Sequence, residues 1–491
     1  MVNATGIYAQ IFKPTAYVVS YFCLYLALAM LVPASVDYLN HNSDWQVFLG
    51  SSILTGVPAL LMLIATRDDI PAFTLRFGFF LVNMLWLSTA VVAALPLYLS
   101  AAGLSFTDAF FEAISGLTTT GSTVLSGLDG MPPGLLLWRS LTQWLGGIGI
   151  IGIGLMLMPF LKIGGMQIFT IESSDTGNKP VPQFYKYSLW LLGIYVGLTL
   201  LCGLMFYLSG MSGFDAINHA MTTISTGGYS THDASVGYFH SDGVLWTGCL
   251  FMVLGSLPFA VYVKALIHRD YNLMEDPQIP AFLIILGVVI SATTAWHYLF
   301  TENESFFHVL SSTAFNVISI ISTTGFASEN YLTWGGFAVA TFFVITFFGG
   351  CSGSTAGGLK VYRLLVVITA FRTSLQQLLS PNKVAIIKYG REAIDGSILY
   401  SVLVFVGAFL TTLVALTIAV SLTGLDLLTA LSGALTTLTN VGPGFGPMIG
   451  PDHNFASVPD AAKWLFSLGM LLGRLEILAV VVLFTPAFWR H

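Results

Sequence analysis

The chain has 491 residues, 55% hydrophobic and 9% charged, with a formal net charge of −6. Soluble proteins carry roughly 25% charged residues, so this composition excludes a soluble globular protein and describes a polytopic membrane protein. Hydrophobic segments recur from end to end and leave no room for a large soluble domain.

A membrane span needs about 20 apolar residues. Such stretches lie near 15–36, 47–66, 76–100, 136–160, 187–209, 243–267, 279–300, 334–371, 397–421 and 461–487. The first is longer than a signal-peptide core and reads as a span. Cys23, Cys202, Cys249 and Cys351 fall in or beside these runs, which fits isolated buried thiols rather than a disulfide framework or a metal site. The first two spans stand apart. The other eight pair off around four short stretches that end on glycine: Thr119-Thr120-Gly121, Ser225-Thr226-Gly227, Thr323-Thr324-Gly325 and Asn440-Val441-Gly442.

The glycines are 106, 98 and 117 residues apart. Each follows a run too short to cross a bilayer: Asp108 to Thr118, Asp215 to Ile224, Ser312 to Ser322, and Asp426 to Thr439. These runs read as half-helices that enter from outside and stop near the middle, with the negative ends of their dipoles converging on one point. A single Thr-Thr-Gly means little, because small and hydroxyl residues are common in membrane helices. Four at matched positions build a ring of backbone carbonyls, which replaces the hydration shell of a monovalent cation. Glycine suits the narrow place because it has no Cβ and accepts backbone angles closed to other residues. The fourth copy, Asn440-Val441-Gly442-Pro443-Gly444, is imperfect yet closest to the Thr-Val-Gly-Tyr-Gly form of tetrameric channels.

The expected fold is therefore an all-α polytopic membrane protein of about ten transmembrane helices. Four helix, pore loop, helix repeats surround one pore with pseudo-fourfold symmetry. The units are 1–70 (two leading helices), 71–165, 166–272, 273–380 and 381–491. An even number of spans puts both termini on one side. Lys13, Arg67, Arg76, Lys162, Lys179, Lys186, Lys264, Arg269, Lys360, Arg363, Arg372, Lys383, Lys388, Arg391 and Arg490 fall at or near that face, which the positive-inside rule makes cytoplasmic. Arg139 and Lys463 lie near the opposite face. Asp108, Glu112, Asp129, Asp215, Asp233, Asp242, Glu302, Glu304 and Asp426 are outside. They serve either as a cation-attracting vestibule or simply to solvate the outer loops.

Two features stand out below the glycines. The 334–371 stretch is 38 residues long, roughly 57 Å as a continuous helix, and so exceeds the bilayer. Its middle, Gly349-Gly350-Cys351-Ser352-Gly353-Ser354-Thr355-Ala356-Gly357-Gly358, is a poor helix former. Irregular backbone at membrane depth belongs where protein buries it or where it lines a watery cavity. The stretch reads as a loop in the permeation path, with an ordinary kink or cytoplasmic linker as the other possibility. Arg474 lies about 13 residues into the last span, where an ionised group is costly and marks an ion path. Either it pairs with a carboxylate such as Glu112 or Glu476, or it faces the pore. The run Trp138-Arg139-Ser140-Leu141-Thr142-Gln143-Trp144 fits an interfacial belt, and Gly146, Gly147 and Gly149 fit close helix contact. Neither is given transport chemistry. No Walker sequence, dinucleotide fingerprint or histidine metal spacing is present.

With Trp144-Leu145-Gly146-Gly147, the Gly349 to Gly358 loop and Gly473-Arg474-Leu475-Glu476, the four triplets resemble the Trk/Ktr/HKT superfamily of potassium transporters along essentially the whole chain. The two leading spans make it most similar to the bacterial TrkH-type subunit. The resemblance implies potassium uptake, with K+ bound at the four triplets. It implies a gate at Gly349, Gly350, Ser352, Gly353, Ser354, Thr355, Gly357 and Gly358, with Arg474 as the basic residue below the filter. It further implies a homodimer in the lipid bilayer of the bacterial inner membrane and a separate cytoplasmic TrkA-like (RCK) subunit that binds nucleotide. No nucleic acid, organic cofactor or enzymatic activity is expected. In the plant branch a serine in the first repeat goes with sodium preference, so Gly121 favours potassium. The competing class is a cation-coupled secondary transporter working by alternating access, which predicts inverted repeats.

Overall fold

The structure, a computed structural model, describes residues 11–67, 74–161, 180–269, 271–300, 305–380, 387–390 and 392–490. Lys162, Lys179, Lys383, Arg391, Glu302 and Glu304, assigned above to faces of the membrane, lie outside the described residues. All ten apolar stretches are helical in whole or in part. The leading pair consists of α1 (Lys13–Ala29), continued past Met30 by α2 (Leu31–Leu39), and α3 (Trp45–Thr66).

Four units follow, each with a long helix, a short helix and a second long element. The first has α4 (Leu75–Leu99), α5 (Phe106–Leu117) and α6 (Pro133–Leu161). The second has α7 (Pro180–Leu208), α8 (Gly213–Ile224), and the pair α9 (Asp242–Ser256) and α10 (Phe259–His268). In the third come α11 (Gln278–Phe300), α12 (Phe306–Ile321), α13 (Gly336–Ile345) and α14 (Val361–Leu379). A small antiparallel hairpin, β1 (Lys388–Tyr389) and β2 (Glu392–Ala393), leads to the fourth. That unit has α15 (Gly396–Ser421), α16 (Leu427–Thr439), α17 (Asp460–Arg474), α18 (Ile477–Val481) and α19 (Pro486–Trp489). The hairpin is a minor departure from the all-α expectation.

Among the described residues six helices are long and apolar enough to cross a membrane, and two bent helix pairs bring the number to eight if each pair is one span. The α9–α10 pair turns by 84° at Leu257-Pro258. Proline lacks the N–H that would continue the helix, and it forces the residue before it to be extended; Leu257 has ψ 156°. The last stretch, expected as one helix over 461–487, instead breaks after Arg474 with a bend of 110°. Glu476 takes φ +59° there, a conformation that costs an L-residue about 1–2 kcal/mol.

Packing links the units in one direction. α6 lies against α8 of the second unit, α9 against α12 of the third, and α17 of the fourth against α5 of the first. Phe343 of α13 meets the Phe445 ring of the fourth unit at 5.6 Å. One apolar core joins the leading spans with the first and fourth units, through residues such as Met30, Phe111, Trp138, Leu435 and Phe466. A second joins the second and third units, through Phe206, Phe251, Phe282, Phe315 and Phe342. Ile11 and Phe488 both pack on Phe80, so the first and last described segments meet at one end of the helix bundle.

Candidate functional site

The four short helices begin with side-chain caps. Ser105 Oγ accepts from the Asp108 amide, Ser212 Oγ from Asp215, Ser305 Oγ from His308, and Asp426 Oδ2 from Thr429. Such caps satisfy amides that the first turn leaves free. The helices also stop alike. A left-handed residue follows each end, two past the last helical residue at Thr119 (φ +51°), Thr226 (φ +51°) and Thr323 (φ +57°), and one past it at Asn440 (φ +56°). In the first three units this residue donates to the carbonyl three back and its successor to the carbonyl five back: Thr119 to Gly116, Thr120 to Ser115, and the same from Thr226, Gly227, Thr323 and Thr324. This is the Schellman closure, which normally takes glycine at the left-handed position. A β-branched residue there is an outlier, and three threonines hold it.

The next residue but one is again left-handed, and it is glycine: Gly121 (φ +84°), Gly228 (φ +80°), Gly325 (φ +82°) and Gly442 (φ +109°). Alternating handedness turns successive peptide groups the same way, N–H to one side and C=O to the other. The amides of Thr120, Gly227, Thr324 and Val441 bond back to Ser115, Thr222, Ser319 and Thr436, so the carbonyls point away from the helices. They meet one another's neighbours in a closed cycle. A Cβ on Gly121 would overlap the Gly227 carbonyl oxygen, one on Gly228 that of Thr324, and one on Gly325 that of Val441. A Cβ on Gly442 would stand 2.8 Å from that of Thr120.

The geometry moves the second triplet by one residue. Ser225 is the first residue past its helix, as Thr118 and Ser322 are past theirs, and its hydroxyl donates to Met221 O. The positions that correspond to Thr119-Thr120-Gly121 are Thr226-Gly227-Gly228. In the first, second and fourth units the capped amide sets the register, since Gly121, Gly228 and Gly442 stand thirteen residues on from Asp108, Asp215 and Thr429; α12 is longer, and Gly325 stands seventeen on from His308.

Behind this cycle, side chains on the short helices hold the loops that follow the glycines. Glu112 accepts from Thr123 Oγ1 and the Val124 amide, His219 Nε2 pairs with Ser230 Oγ at 3.0 Å, and Asn316 bonds both the Ser328 hydroxyl and its amide. All three stand seven residues before the left-handed threonine. Glu112 also receives Arg139 Nε at 2.8 Å. Arg139 in turn reaches Ser230 O and lies 4.2 Å from the Tyr229 ring centre. Glu112 is thus taken by Arg139, which removes it as a partner for Arg474. Trp138 is not in an interfacial belt: it is fully buried and donates to Ala93 O. Gln143, between these residues and Trp144, donates to Gly227 O and accepts from the Tyr229 amide.

On the side where the short helices begin, Lys463 bonds Asp108 at 2.6 Å, and Asp233 accepts from the Gly127 and Leu128 amides. His232 hydrogen-bonds Asp129, which holds the Asp129 carboxyl below its usual range. Several of the acids expected outside are therefore engaged in binding loops together.

The 349–358 loop lies at the inner ends of the second to fourth short helices. Thr355 Oγ1 donates to Ile224 O and lies 3.3 Å from Thr226 Oγ1. The Gly357 amide donates to Thr323 Oγ1 at 2.6 Å, and a Cβ on Gly357 would overlap Thr439 O. Lys360 Nζ donates to Ala356 O. Gly350, Ser352, Gly353 and Ser354 stay away from the glycine cycle. The Gly350 carbonyl accepts from Val361, Ser352 N donates to Gln278, and Gly353 O accepts from Phe259. Ser354 Oγ donates to Cys351 O. Gly349 and Leu359 close the base, and Gly358 is left-handed at φ +64°. The glycines here permit close approach rather than looseness, since the backbone is bonded on several sides. Arg474 Nη2 donates to Thr355 O at 2.7 Å, and Glu476 binds Arg363 at 2.6 Å. Among the described residues no group of three His, Cys, Asp or Glu side chains is placed to hold a metal ion.

The profile of the TrkH family, described as a cation transport protein, matches residues 45–491. The potassium uptake protein TrkI of Halomonas elongata is 43% identical over 480 residues, with 97% of each chain covered. TrkH of Escherichia coli is 34% identical, covering 98% of this chain and 100% of its own. The crystal structure of the potassium transporter TrkH from Vibrio parahaemolyticus superposes with a TM-score of 0.89 at 32% identity, covering 98% of this chain and 100% of that one.

Proposed function

The chain belongs to the TrkH family of cation transport proteins, and on that premise we propose that it takes up potassium through a pore lined by the four glycine-ended segments. It is a transporter and not an enzyme. The closed cycle of glycine and carbonyl contacts carries the reading. Four left-handed caps turn four sets of carbonyls to one axis, at the negative ends of four helices, which suits a monovalent cation stripped of water. The selectivity filter is Thr119-Thr120-Gly121, Thr226-Gly227-Gly228, Thr323-Thr324-Gly325 and Asn440-Val441-Gly442, with pseudo-fourfold symmetry. The head-to-tail cycle favours this channel-like path over alternating access, for which inverted repeats are the usual frame.

The 349–358 loop is the gate, and Arg474 fastens it. The relatives are named as parts of a Trk system, which supports an assembly of a homodimer with a TrkA-like, nucleotide-binding cytoplasmic subunit. Basic residues near α10, α14 and β1 support a cytoplasmic inner face in the bacterial inner membrane, with both termini on that side. Flux of K+, Rb+ and Na+ into liposomes holding the purified protein tests the proposal. Potassium and rubidium should pass well ahead of sodium; equal passage, or a requirement for a driving-ion gradient, would overturn it.

A further inference from the structure

We propose that Gln143 is a specificity-determining positioning residue that stands in for the side chain missing at Gly227. The inference rests on the filter reading above and adds a role that lies outside the four glycine segments.

In three units the residue between the two left-handed positions has a side chain that packs behind the carbonyl cycle. Thr120 Oγ1 bonds Thr118 Oγ1 at 2.7 Å and accepts from Asn440 Nδ2. Thr324 Oγ1 bonds Ser322 Oγ at 2.7 Å. Val441 is fully buried. The fourth such position is Gly227, whose backbone is not left-handed. Its conformation therefore does not call for glycine. The space does, because a Cβ there would overlap the Gln143 amide.

Gln143 comes from α6 of the first unit and is completely buried. Its Nε2 donates to Gly227 O at 2.6 Å, and its Oε1 accepts from Tyr229 N at 3.0 Å. The amide spans the peptide groups on either side of Gly228 and fixes the strand from behind. Gly227 O is also the carbonyl that faces Gly121 in the cycle. A displacement of this strand thus changes the distance between the first and second units at the level where the ion is stripped of water. Glycine at 227 and glutamine at 143 are two halves of one device.

The test uses the full-length protein in liposomes and reads the rubidium-to-sodium flux ratio for Gln143→Ala, Gln143→Met, Gly227→Thr and the double variant Gln143→Ala/Gly227→Thr. Methionine fills the same volume without the hydrogen bonds, so Gln143→Met separates positioning from packing. Gln143→Met and Gln143→Ala should lower the ratio on the order of tenfold, the worth of one or two buried hydrogen bonds. Gly227→Thr alone should lose transport through the clash. The double variant should regain discrimination, since the introduced threonine hydroxyl is placed to bond Ser225 as Thr120 bonds Thr118. Wild-type discrimination in a monodisperse Gln143→Met, or a double variant no better than either single one, overturns the proposal. Gly121→Ser run in parallel keeps the two readings apart. Lost discrimination there, with Gln143→Met intact, sinks only the role of Gln143, whereas wild-type behaviour in Gly121→Ser sinks the filter itself.

Discussion

The guanidinium of Arg474 donates a 2.7 Å hydrogen bond to the carbonyl oxygen of Thr355. The break in the last span is thereby fastened to the middle of the glycine-rich loop, 119 residues away. On the same loop residue, Thr355 Oγ1 donates to Ile224 O at the end of α8. One threonine joins the arginine to the inner end of the candidate filter.

Cutting that link should free the loop. Arg474→Ala, or deletion of several residues from Gly350 to Gly357, is expected to raise potassium flux severalfold and to loosen dependence on the proposed regulatory subunit. Arg474→Lys keeps the charge and should fall between. Liposome flux is read beside size-exclusion profiles. Well-folded variants with wild-type or lower flux would leave the loop as a hinge rather than a plug.

The register of the second unit is open to direct test. Serine at Gly121, Gly228 or Gly325 must adopt a positive φ, costing about 1–2 kcal/mol, and must push against a neighbouring carbonyl. All three variants should lose discrimination of potassium from sodium, with Gly228→Ser as harmful as Gly121→Ser. Selective transport by Gly228→Ser would return the second triplet to Gly227.

Breaking the Glu112–Arg139 pair should be costly, because both side chains are at most 1% exposed. Removing one partner of a buried pair destabilises by about 3–5 kcal/mol. Glu112→Ala is therefore expected to melt well below wild type in detergent, or to fail to accumulate. Glu112→Leu/Arg139→Met leaves no unpaired charge and should recover part of the loss. Equal melting of Glu112→Ala and wild type would show that the network is not structural.

Acid stability has a defined sign. The hydrogen bond from His232 depresses the folded-state value of Asp129. A depressed carboxyl contributes stability that is complete above its unfolded value, near 3.9, and is lost as pH falls through the folded value. The contribution of the Asp129 carboxyl should be constant from pH 7 to about pH 5, and melting should decline below about pH 4 as it is protonated. In Asp129→Asn that acid limb should flatten. Parallel acid limbs for the two proteins would remove the pair from the account.

The helical membrane class and the four short helices before the glycines were legible in the sequence, because like residues recur at like distances. The second register was not legible from the triplets. Ser225-Thr226-Gly227 matches Thr119-Thr120-Gly121 in side-chain type, but the chain turns where the helix ends, and Gly227-Gly228 offers two glycines to choose from. The Ser212-Asp215 box held the answer. The break at Pro258 had a local cause that could be read. The one after Arg474 did not, because no proline or glycine stands between Arg474 and Ile477. Gln143 was invisible because its partner carbonyl is 84 residues away, and Trp138 looked interfacial only because sequence does not report which face a helix buries.

All four segments of the proposed filter lie in one polypeptide and touch in chain order, the fourth closing on the first. In a pore of four identical subunits every substitution is made four times, and any change at the axis is severe or absent. Here a point mutation alters one quadrant and leaves three as they were. Selection can therefore adjust ion preference in small steps, and each quadrant can acquire its own solution. Asparagine stands at one left-handed position where threonine stands at three, and one strand is backed by a neighbour's glutamine.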